Sequence, residues 1–202
     1  MSLIVIALLS FVMLVTRFPF GGEAMHLLDA SWAIFFILGR LNIEAPLKLV
    51  GFLWFATLAW GIDVWAVQGD YTSAYCMTTA YLGMPVAYAA LTMIGGWSQG
   101  QHIAGFTAGH MTRGHLGFVI SVALATFAAF IISNFFFFQW SGYFETMPAI
   151  KFAESVARYY PHYLLTTFFY VALWHIANRF ISLESDVADA ELQSITQESN
   201  ND

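Results

Sequence analysis

Charge is scarce in this chain: Asp, Glu, Lys and Arg make up 10% of its 202 residues, where a water-soluble domain carries about 25%. Cysteine is scarcer still. Cys76 stands alone, which excludes a disulfide framework, an internal disulfide and a dithiol redox centre. A basic excess is also missing, since seven Lys and Arg face thirteen Asp and Glu, and nucleic-acid binding calls for a basic patch. The sequence has no strict glycine repeat, no strand-like alternation and no Gly-x-x-x-x-Gly-Lys run. Collagen, a membrane β-barrel and an ATP site are therefore not expected. What is abundant is apolar side chain, 59% of the residues, a composition that excludes disorder.

The acids are unevenly placed. Glu184, Asp186, Asp189, Glu191, Glu198 and Asp202 all lie in the last nineteen residues, which leaves seven acids against seven Lys and Arg in residues 1–183. The body is formally neutral and apolar, and its natural solvent is a bilayer. Residues 182–202 read as an acidic, disordered cytoplasmic tail on a membrane domain spanning 1–181.

A helix crosses about 30 Å of hydrocarbon with roughly 20 apolar residues. Six stretches are read as spans, although Met1–Thr16 is short: Met1–Thr16, Ala30–Leu38 extending to Arg40, Leu49–Gln68, Tyr71–Trp97, Gly114–Trp140 and Tyr159–Asn178. The expected fold is an all-α integral membrane protein of six transmembrane helices. An even count puts both termini on one side. The cytoplasmic side is chosen because Arg40, Lys48, Arg113 and Arg179 then face inward against Arg17, Lys151 and Arg158 outward.

Three outward segments then hold the unusual residues: Arg17–Asp29, Gln68–Tyr75 and Ser141–Tyr159. Aromatics at helix ends commonly form interfacial belts. Asp29, ahead of Ala-Ser-Trp, suits a helix cap. Asp63 is more telling, because an acid inside a span needs a partner or a water-filled cavity; Arg17, at the same level, is the natural one. Gly83 and Ala87, four apart, suit close helix packing. The histidines fit haem or metal poorly. His162 and His175 are thirteen residues apart on one expected helix, about 20 Å along its axis, and His110 and His115 match no usual metal spacing.

Cys76 has two readings. A lone cysteine in an apolar helix is commonly a small buried hydrophobe. A thiol one turn into the expected fourth helix would instead feel the helix end, which favours the thiolate, and a thiolate is a soft ligand for a transition metal.

Several runs resemble the BtuM family, solitary transporters of cobalamin (vitamin B12) in the inner membrane of Gram-negative bacteria, similar to ECF-type S-components. They are Thr16-Arg17-Phe18-Pro19-Phe20, Asp29-Ala30-Ser31-Trp32-Ala33-Ile34-Phe35-Phe36, Tyr75-Cys76-x-x-x-Ala80-Tyr81 with Met84-Pro85-Val86-Ala87-Tyr88, and Val156-Ala157-Arg158-Tyr159-Tyr160-Pro161. The resemblance covers residues 14–178. It implies an S-component-like bundle that binds cobalamin from the periplasm, with the Cys76 sulfur as axial ligand of the cobalt and assistance to removal of an upper ligand such as cyanide. A broad, flat corrin needs aromatic walls; Trp32, Tyr71, Tyr75, Tyr81, Tyr143 and Tyr159 are the candidates. Arg17, His26, Asp63 and Asp70 are candidates to meet its peripheral amides. S-components that share an energising module present an Ala-x-x-x-Ala face on the first helix, whereas here Ala7 is followed by Phe11, so no dedicated ATPase module is expected. Two alternatives stay open: an S-component for another small vitamin with a structural cysteine, and a haem-binding membrane redox protein.

Overall fold

The computed structural model describes residues 2–18, 29–71, 73–100 and 113–178. Among the described residues there are seven α-helices and no strand. They are α1 (Ser2–Arg17), α2 (Ser31–Arg40), α3 (Ala45–Gln68), α4 (Met84–Trp97), α5 (Arg113–Trp140), α6 (Ala149–Ala157) and α7 (160–178). The tail beyond 181 lies outside the described residues.

Among the described residues two helices are long and apolar enough to cross a membrane: α3, and α5 over Leu116–Trp140. At 1.5 Å per residue the 24 residues of α3 reach about 36 Å, more than the hydrocarbon thickness. Both turn large apolar side chains outward, among them Leu53, Trp54 and Trp60 on α3, and Ile120, Phe127 and Ile131 on α5. α1 and α2 are apolar but shorter.

The second expected span is a different object. α2 has ten residues, about 15 Å of axis, half of what a bilayer requires. It is buried from Ser31 to Gly39, as befits a helix that is apolar all round. It forms the centre of the bundle. The Phe35 ring stacks on Tyr88 at 4.0 Å and meets Phe55 and Phe52 edge-on.

Glycine makes the α2–α4 crossing possible. A Cβ at Gly39 would overlap the Thr92 carbonyl, and one at Gly95 would overlap the Phe36 carbonyl, so the two backbones touch as small-residue interfaces allow. Thr92 bridges them, its Oγ1 donating to the Phe35 carbonyl at 3.2 Å. Gly95→Ala is expected to destabilise the fold by about 1–3 kcal/mol, the usual cost of overpacking. An unchanged melting midpoint in detergent would show that the crossing has slack. At the far end of α2, Arg40 donates to the Ser98 carbonyl (2.6 Å) and Lys48 to the Gly39 carbonyl (2.8 Å), cations closing helix C-termini.

The fourth expected span begins thirteen residues later than Tyr71. Residues Ala74–Cys76 and Thr79–Gly83 form two 3-10 turns, and the α-helix starts only at Met84. Ser73 and Thr78 hold the turns, their hydroxyls accepting from the N–H groups of Tyr75 (3.2 Å) and Ala80 (3.3 Å). Pro85 then fits the first helical turn, where a missing N–H costs nothing. Cys76 thus ends a three-residue 3-10 turn rather than the first turn of a long helix, and the helix-end argument for its thiolate falls. Gly83 serves packing as expected, since a Cβ there would overlap the Phe136 ring of α5. The connection Ser141–Tyr159, expected to face outward, is not simple loop either: it contains α6, which buries Phe152 and follows Pro148.

Candidate functional site

One guanidinium gathers four parts of the chain. Arg17 ends α1 and grips Asp63 of α3 with two parallel bonds, Nε to Oδ1 and Nη2 to Oδ2, each 2.7 Å. Its Nη1 reaches Asp29 Oδ2 and Ser31 Oγ at the start of α2, each at 2.8 Å. Four of its five N–H groups are therefore used, in the planar fork geometry that suits carboxylates. From the second 3-10 turn, the Tyr81 hydroxyl donates to Asp63 Oδ2 at 2.7 Å. The Arg17 and Asp63 side chains are 12% and 23% exposed, Asp29 43%. Asp29 also performs the capping expected of it, Oδ1 accepting from Ser31 N (2.9 Å) and Ser31 Oγ (2.6 Å).

The cluster is the floor of a cavity of about 580 Å³. Two carboxylates share one guanidinium there, so the floor carries one net negative charge and keeps spare acceptor lone pairs on Asp29 and Asp63. Arg158, Ser133, Asn134 and Ser155 also line the cavity. The remaining walls are aromatic. Trp32 stacks on Tyr163 at 4.6 Å, and Tyr75, Tyr81, Phe137, Phe144 and Tyr159 complete them.

Of the residues singled out from sequence, Arg17, Trp32, Asp63, Tyr75, Tyr81 and Tyr159 border this cavity. Tyr143 supports it from behind, stacked on Tyr75 at 4.5 Å. Asp70 and Tyr71 are elsewhere. After α3 the chain turns through Asp70, whose φ is +55°, and the Tyr71 N–H bonds back to the Ala66 carbonyl at 2.9 Å. That reversal lays Tyr71 on Trp65 (4.9 Å), which stacks in turn on Phe18 (4.4 Å), away from the cavity lining. His26 and His110 lie outside the described residues, as do the side chains of Cys76 and His115. The backbone of Cys76 belongs to the turn that brings Tyr75 to the wall.

Sequence reasoning missed the α5–α6 wall: Ser133, Asn134, Phe137, Phe144, Phe152 and Tyr163, with Arg158 noted only as an outward charge. One signal was present. Ser133-Asn134 is a polar pair inside an otherwise apolar run of a membrane-length helix, and intramembrane polar groups turn toward cavities or partners.

The chain matches no family model and no curated protein.

Proposed function

We propose that the chain is a cobalamin-binding transporter of the bacterial inner membrane, in the manner of the BtuM proteins. The observation that carries this reading is the coincidence, at one end of the bundle, of the Tyr75–Cys76 turn with an aromatic-walled cavity whose floor offers carboxylate acceptors. A corrin is a flat apolar ring edged with primary amides. Its faces suit Trp32, Tyr75, Tyr81 and Tyr159, and its amide N–H groups suit the free lone pairs of Asp29 and Asp63. A cavity of about 580 Å³ is of the size that encloses a drug-sized ligand. A cobalamin is larger, so part of it projects beyond the cavity.

Cys76 supplies the cobalt ligand in this proposal. Its thiol loses a proton to solvent as the sulfur pair binds cobalt. A strong donor on one axial position labilises the group opposite, so a cyanide there leaves with its own bonding pair and the oxidation state of cobalt is unchanged. The protein contributes position and a donor atom to chemistry that belongs to the cofactor. The same reading makes the body an S-component-like, multi-pass domain in the lipid bilayer, with α2 as its short central helix, both termini cytoplasmic and no dedicated ATPase partner.

A second reading has one observation behind it. The carboxylates of Asp29 and Asp63 within aromatic walls also suit a small cationic vitamin, held by a carboxylate and by ring faces.

Protein purified in detergent after exposure to cobalamin is expected to retain a corrin spectrum. Expressed in a strain lacking its own importer, the chain is expected to restore growth at low external cobalamin. Absence of both, with the protein correctly inserted, removes the cobalamin reading; retention of a cationic vitamin instead establishes the second.

A further inference from the structure

Four charged side chains line the cavity, and their charges sum to zero: Arg17 and Arg158 against Asp29 and Asp63. The balance is not local. Arg17 is shared between the two carboxylates, in ion pairs of 2.8 Å to Asp29 and 2.7 Å to Asp63. Arg158 forms no ion pair among the described residues. Even Glu154, four residues back on α6, is not paired with it, although acids and bases at that spacing commonly meet. One cavity therefore holds an acid in excess at the Arg17 clasp and a cation in excess at Arg158.

Arg158 is held in place without being neutralised. It caps the C-terminus of α6. Its guanidinium lies over the Tyr159 ring, 5.0 Å from the centroid, and its Nη2 donates to the Tyr159 hydroxyl at 3.1 Å. That bond uses one of five N–H groups and leaves four. A guanidinium stays charged at any working pH, and its planar fork matches two oxygens of a carboxylate or a phosphate. An exposed arginine elsewhere on the surface needs no explanation; this one borders the cavity.

The two poles describe a ligand. The carboxylates accept from N–H donors, and the unpaired guanidinium calls for an anion. A wholly cationic molecule would meet Arg158 as a like charge, at a cost in affinity. Resting on the cobalamin reading, the match is close. The amides around the corrin are neutral donors, and the tether to its nucleotide base carries one phosphodiester, an anion at any working pH. We infer that Arg158 binds this phosphodiester and so makes the site prefer a corrin with its nucleotide tether over one without. The contact is ionic and hydrogen-bonded, and it is independent of how the cobalt is ligated. A tethered group need not enter the cavity fully, which agrees with the exposure of Arg158.

The test compares cobalamin with cobinamide, the corrin that lacks both phosphodiester and base, by absorption titration of detergent-purified protein. Arg158 takes no part in the Arg17 clasp, so Arg158→Gln leaves that tie between helices in place. The variant is expected to bind cobalamin about tenfold more weakly, the lower end for a hydrogen bond to a charged group because the site is solvated. Its affinity for cobinamide is expected to stay that of wild type. Arg158→Lys, which keeps the charge and loses the fork, is expected to give a smaller loss for cobalamin alone, and it serves as the comparison should Arg158→Gln fail to fold. Equal weakening of both corrins, or of neither, overturns the proposal. A lipid headgroup offers the same phosphodiester, and with lipid as the occupant of Arg158 the two corrins respond alike. Failure of wild-type protein to bind either corrin overturns the cobalamin reading itself and is told apart by that control.

Discussion

Cys76→Ser is expected to weaken corrin binding by more than about tenfold and to abolish any spectral change that sulfur ligation causes. Serine has nearly the same shape but offers a hard, protonated oxygen where a soft thiolate is needed. The Cys76 backbone ends a three-residue 3-10 turn rather than a long helix, so in the cobalamin reading it is cobalt that drives the deprotonation. Binding then releases one proton. Apparent affinity rises with pH as long as the free thiol remains protonated, and the serine variant loses that slope. Measurement is by absorption titration of the detergent-purified protein across pH. A serine variant with wild-type affinity, spectrum and pH slope would return Cys76 to the role of a small buried hydrophobe.

Arg17→Met is expected to be the most damaging single change to the fold. It leaves Asp63, at 23% exposure, with only the Tyr81 hydroxyl as a partner, and it unties α1 from α2 and α3 together. Removing one partner of a buried pair costs about 3–5 kcal/mol, because the other charge stays desolvated and unpaired. Asp29, at 43% exposure, adds little, since water screens it. For a chain of this size about 3 kcal/mol corresponds to a drop of roughly 6–12 °C in melting midpoint. Adding Asp63→Asn removes the stranded charge, so the double variant is expected to recover part of the loss. That non-additivity is the signature of two groups acting as one unit. Equal midpoints for wild type and Arg17→Met would show that the bundle closes without the clasp. Arg17→Lys is a milder probe: it keeps the charge and gives up the two-pronged grip on Asp63.

Much of the helical plan was legible in the chain. The stretches Met1–Thr16, Leu49–Gln68, Gly114–Trp140 and Tyr159–Asn178 meet α1, α3, α5 and α7 within a few residues, because a long apolar run is a direct record of where the backbone must bond to itself. Apolarity is a poor guide to helix type. The run from Tyr71 reads as one span, yet it is broken into 3-10 turns by hydroxyl caps at Ser73 and Thr78 and by the Gly83-Met84-Pro85 start signal. α6 was overlooked for the opposite reason: nine residues with Lys151 and Glu154 among them resemble a connection until Phe152 is seen to have a place to go.

By itself, then, the sequence determined a helical, membrane-suited body with Arg17, Asp29, Asp63 and Asp70 toward one end, since composition and run length act on each segment alone. Only the tertiary structure decided which of those charges meet and which aromatics face inward. Arg17, Asp29 and Asp63 lie 46 residues apart at the extremes, and nothing local selects Asp63 over Asp70. The choice was made by the helical phase of α3, which carries Asp63 to the Arg17 guanidinium, and by the turn after Gln68, which folds Asp70 and Tyr71 back along the outside. The wall from α5, α6 and α7 arose in the same way: Asn134, Phe152 and Tyr163 come from three helices that share a cavity because their packing leaves one.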